Sequence, residues 1–143
     1  ETAGLIMDAL QLLAQNRVDY TIFLRKLCDF DSTADALNPQ LRDLVLDRAA
    51  FDAWAARYAA ALRQQESNDA GRSAAMRRVN PKYILRNHLA EIAIRRAADD
   101  RDYSEVNRLH ALLTRPFDEQ PEHEAYAAEP PDWARKIEVS CSS

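Results

Sequence analysis

The chain has 143 residues, a net charge of −4 and 47% hydrophobic residues, which is the size of one domain with a single core and excludes disorder throughout. Only two glycines occur, so a hairpin-rich β architecture, which needs glycine in its tight turns, gives way to helices. No apolar run approaches transmembrane length, the opening residues lack the pattern of a signal peptide, and two isolated cysteines and three histidines without paired spacing offer neither a disulfide framework nor a zinc site.

The first segment, "ETAGLIMDAL", is already inside a helical pattern. Leu5, Ile6, Ala9, Leu10 and Leu13 recur at helical spacing and make it amphipathic. Such an opening without an initiator methionine reads as a piece of a longer protein. A piece of a larger core should expose a large apolar patch and can self-associate through it. In "VDYTIFLRKLCDF", Asp19 has the position of an N-cap, and Tyr20, Phe23, Leu24 and Leu27 form one apolar face. Cys28 lies beside that face and reads as a small buried hydrophobe.

Around Pro39 the cap and turn signals predict short helical turns. A long helix is expected from Arg48 to Asn68, with Phe51, Trp54, Tyr58 and Leu62 as a core stripe rather than a ligand platform. "SNDAGRS" is the expected internal loop. Asn80 and Pro81 then have the positions of an N-cap and first residue for the next helix, with Leu85, Leu89 and Ile92 facing one way. Asp102 and Glu105 have capping-box spacing ahead of Val106, Leu109, Leu112 and Leu113, and Pro116 ends that helix. Four later prolines, the first of them Pro116, impose an extended tail with one short helical turn at Trp133. The fold class is all-α, divided into a helical region over 1–115 and a tail over 116–143.

Charge is unevenly placed. Arg72, Arg77, Arg78, Lys82, Arg86, Arg95 and Arg96 stand against one acid, Glu91, whereas Asp118, Glu119, Glu122, Glu124, Glu129 and Asp132 form an acidic segment. The two segments either face each other or each face a partner. Nucleic acid is not the expected partner for a chain of net negative charge, although a stand-alone helical module binding an acidic protein or nucleic acid through the basic segment is the alternative reading.

Two superficial motifs fail on inspection. Asp29–Phe30–Asp31 has the outline of the metal-binding Asp-Phe-Gly of kinases, but the glycine is absent and the triplet ends a helix. Glu122, His123 and Glu124 are adjacent and point in divergent directions, unlike two ligands one helical turn apart. With Gly4 and Gly71 alone, no glycine-rich phosphate loop forms. Cys141, flanked by Ser140, Ser142 and Ser143, is different. A thiol near a terminus gains little from burial, so it is either a redox or exchange group or an inert exposed thiol.

"NPKYILRNHLAEIAI", "DYSEVNRLHALLTRPFDEQP" and "PPDWARKIEVSCSS" closely resemble the C-terminal region of selenoprotein O and its bacterial cysteine-containing relatives. "VDYTIFLRKLCDF" resembles an earlier piece of the same region. The resemblance implies a kinase-like enzyme that transfers AMP from ATP to hydroxyl side chains of protein substrates, with Mg or Mn. The catalytic and metal-binding residues of that family belong to a preceding region, so none is assigned to a position here and the chain alone is expected to be inactive. The resemblance does single out Cys141, which is expected to form a redox-sensitive disulfide with a cysteine of the catalytic region. The expected partner is that kinase-like region, the expected location the bacterial cytoplasm, and no membrane is involved.

Overall fold

The computed structural model describes residues 2–136. Among them are seven α-helices, two 3₁₀ segments and no strand, in agreement with the all-α reading. The chain divides into two compact units, Glu1–Asn80 and Pro81–Ser143.

The first unit contains α1 (Thr2–Gln15), α2 (Tyr20–Leu27), α3 (Pro39–Arg42), α4 (Arg48–Gln64) and α5 (Asp69–Arg77). Helix α2 begins where its sequence says it should, with the Asp19 carboxylate accepting from the Ile22 N–H at 2.9 Å. Asp47 does the same for α4, accepting from Ala50 N at 3.1 Å. The core is built on the α4 stripe. Phe51, Trp54 and Leu62 are buried with Leu5, Leu12 and Leu13 of α1, Phe23 and Leu27 of α2, and Leu41 of α3. Trp54 stacks on Tyr58 at 5.1 Å and meets Phe23 edge-on at 6.2 Å, geometries that suit the quadrupoles of the rings. Its indole N–H donates to Leu5 O at 3.0 Å, so the polar atom of the largest core residue is satisfied.

Three local expectations are corrected. Helix α4 stops at Gln64, and most of the expected loop "SNDAGRS" forms the start of α5. The cluster that reads as a breaker supplies a cap instead: Asn68 accepts from Gly71 N at 2.8 Å, and Asp69 adds an acid to the first turn. Asn80 does not cap a helix at Pro81. Its amide donates to Leu24 O at 3.1 Å, and its carbonyl accepts from the buried Arg25 guanidinium at 3.0 Å.

The second unit holds α6 (Asn87–Asp99), α7 (Ser104–Leu113) and the 3₁₀ segments Pro121–Ala127 and Asp132–Lys136. Leu85 consequently precedes the helix and is exposed, while Ala93, Leu109, Leu112 and Tyr83 form the buried cluster. The expected capping box is also absent. Asp102 accepts from Ser104 N at 2.9 Å, but Glu105 turns inward. It is buried, accepts from the Tyr126 hydroxyl at 2.9 Å, and pairs with Arg108 and Arg96. A carboxylate with three partners of its own has no need of the helix terminus. The turn expected at Trp133 is present, and Pro121–Ala127 adds a second one.

Candidate functional site

In the first unit, α1, α2 and α4 leave a groove of about 250 Å³ between them. Phe23, Trp54 and Tyr58 lie at its floor, and Ile6, Leu10 and Tyr20 stand along it. No Asp, Glu, Lys or Arg lines it. Burial pushes the Tyr58 phenol above its ordinary value, so it stays neutral.

Most cations of the basic segment are engaged locally. Arg72 pairs with Asp69 at 2.8 Å and donates to Phe30 O at 2.6 Å. Arg77 pairs with Asp29 at 2.5 Å. Asp69 also accepts from the Ser32 N–H and hydroxyl, and these bonds, joined by Arg72, hold its carboxyl at about 2. The arginines of α5 thus fasten that helix to the turn after α2. In the second unit, Lys82 pairs with Glu119 at 2.7 Å and with Glu124, and Arg95 pairs with Glu91 at 2.8 Å. Burial opposes the charge of Lys82, but the bonds to Glu119 and Glu124 raise its pKa overall. At Lys82 the basic and acidic segments do face each other.

A clasp next to Lys82 holds the residues after Pro116. The Tyr83 hydroxyl, almost wholly buried, accepts from Gln120 N and donates to Gln120 O, both at 3.1 Å. The Gln120 amide donates to Leu112 O and Arg115 O at 3.2 and 2.9 Å, closing the end of α7. Further on, Trp133 meets the His88 ring edge-on at 6.1 Å. Sequence reasoning missed Tyr83 and Gln120, since their pairing spans 37 residues.

Cys28 is fully buried, its thiol directed at Leu24 O at 3.6 Å, as its place beside the α2 stripe predicts. Cys141 lies outside the described residues. Asp29 and Asp31 do not form a metal site: the first is held by Arg77 and the second by Thr33. Among the described residues no group of three or more His, Cys, Asp or Glu is placed to hold a metal ion. A triphosphate needs cations or clustered N–H donors, and the groove has neither charge nor the 300 Å³ or more of roughly typical ligand sites. The groove therefore does not fit ATP. Nor is any described helix long and apolar enough to cross a membrane.

Residues 1–114 match the family described as protein adenylyltransferase SelO. The chain belongs to the SelO family. It is 78% identical, over its whole length, to a protein nucleotidyltransferase YdiU of Thiobacillus denitrificans. It is 58% identical over its whole length to one of Cupriavidus pinatubonensis, and 55% identical over 99% of its length to one of Burkholderia vietnamiensis. The chain spans only 29, 27 and 27% of these three relatives. The SelO match ends before Pro116, whereas the Thiobacillus relative aligns through the segment that holds Trp133 and Cys141.

Proposed function

We propose that the chain is the helical C-terminal, regulatory and scaffolding region of a SelO-type protein adenylyltransferase, whose catalytic region transfers AMP from ATP to hydroxyl groups of substrate proteins with Mg or Mn. The observation that carries this reading is the SelO match over residues 1–114, in a chain that spans 29% of its Thiobacillus relative. The chemistry belongs to the kinase-like region. In this reading the second unit, with Gln120 clasped by Tyr83, roots the segment that carries Cys141. That thiol pairs with a cysteine of the catalytic region, two thiols giving up two electrons and two protons to a cellular oxidant. The setting is the bacterial cytoplasm. The alternative, a stand-alone module with a basic face, loses support from the ion pairs of Arg72, Arg77, Lys82, Arg95 and Arg96.

The test is a chimaera in which this chain replaces the matching part of the Thiobacillus relative. The chimaera should transfer AMP from ATP to protein, and the 143-residue chain alone should not. Transfer by the chain alone, or an inert but folded chimaera, would overturn the assignment.

A further inference from the structure

We infer that the apolar groove of the first unit is a docking surface for the part of the family protein that lies outside residues 1–143, which enters it with aliphatic or aromatic side chains. This deepens the proposed function and rests on it. The starting point is the composition of α1. "TAGLIMDALQLLAQ" has one charged residue, Asp8, and that residue is paired with Arg57 at 2.6 Å. A helix lying on a protein surface normally turns charged residues to water, and one that is apolar nearly all round is normally buried. Here Leu5, Leu12 and Leu13 face the core, but Ile6, Met7 and Leu10 are 56, 64 and 40% exposed.

Two of these, Ile6 and Leu10, are not an isolated scatter of the ordinary kind. Ile6 and Leu10 are neighbours one turn apart, they border the groove together with Tyr20, and the groove continues inward to Phe23 and Trp54. The strip and the groove thus make one apolar surface of the kind that marks an interface. An anionic ligand or a nucleic acid would find no counterion there. A cavity of about 250 Å³ instead suits inserted side chains. Among possible occupants, the rest of the polypeptide is favoured by the length of the relatives. More than two thirds of the Thiobacillus relative lies outside the matched part, and covalent linkage presents it at a high effective concentration that a second copy lacks.

The experiment compares the 143-residue chain with the chimaera described above. Ile6→Cys and, separately, Leu10→Cys are introduced in a Cys141→Ser background, and alkylation of the labelled peptide is followed by mass spectrometry. Docking predicts labelling at least about 10-fold slower in the monomeric chimaera than in the chain alone. A second variant, Ile6→Glu, should lower the thermal midpoint of the chimaera and leave that of the chain unchanged. Equal labelling rates in a chimaera that still transfers AMP would overturn the docking surface alone. Equal rates in a chimaera that is inert would overturn the proposed function with it. Protection that appears in the chain alone and grows with its concentration as it dimerises would assign the groove to a second copy and overturn the inference.

Discussion

His88 is the second residue of α6, and its surroundings oppose a charge on its ring. The side chain is buried, its Nδ1 has no hydrogen-bond partner among the described groups, and Trp133 meets it edge-on. Burial first, and the Arg86 guanidinium second, hold its pKa below the ordinary 6.5. The helix N-terminus acts in the same direction, since it repels a cation. In the unfolded chain the ring takes up its proton near 6.5, so below that pH the unfolded state binds more protons than the folded one. Stability of the second unit should therefore be full above pH 6.5, fall as pH drops from there to the folded-state value, and level off beneath it. Titration of the His88 ring by NMR should give a midpoint below 6.5, and Arg86→Gln should move it part of the way back. A midpoint at or above 6.5 would contradict this account.

At the scale of the element, α5 separates what local sequence decides from what it leaves open. The stripe Phe51, Trp54, Tyr58 and Leu62 was legible because one helical face is set by spacing alone. Asp19 was legible because an N-cap acts within three residues. The same chemistry misleads at "SNDAGRS", since Asn, Asp and Ser favour turns and caps equally. The decision there is tertiary: Arg72 and Arg77 reach Phe30 O and Asp29, over 40 residues away in sequence, and fasten the segment as a helix. Asn80 is misread for the same reason, because its amide serves Leu24 O, 56 positions distant. If Asn68 starts α5 by accepting from Gly71 N, Asn68→Ala should cost about 1 kcal/mol of first-unit stability, and Asn68→Ser should restore most of it. Denaturant unfolding measures both, and an unchanged midpoint in Asn68→Ala would remove the cap from the account.

For the whole molecule, family and class were legible while the surfaces were not. Periodicity marks Ile6, Leu10 and Tyr20 as apolar, but it does not say which of them the chain itself covers, and the structure leaves all three exposed. The two cysteines show the same limit from opposite sides. Cys28 beside a core stripe is read as buried, and it is, with no exposed surface and its thiol against Leu24 O. An oxidant or a partner disulfide reaches such a thiol only when the fold opens. Cys28 is thus removed as a competitor, and any oxidant response that this chain confers on the chimaera should run through Cys141. Replacing Cys141 by serine should leave the circular dichroism spectrum and the AMP transfer of the reduced chimaera unchanged. The change in transfer rate between oxidised and reduced chimaera should vanish. Cys28→Ala should keep that change intact, at a cost in first-unit stability. An oxidant response that survives Cys141→Ser and is lost in Cys28→Ala would reverse the assignment, and would require the α2 end of the first unit to open during turnover.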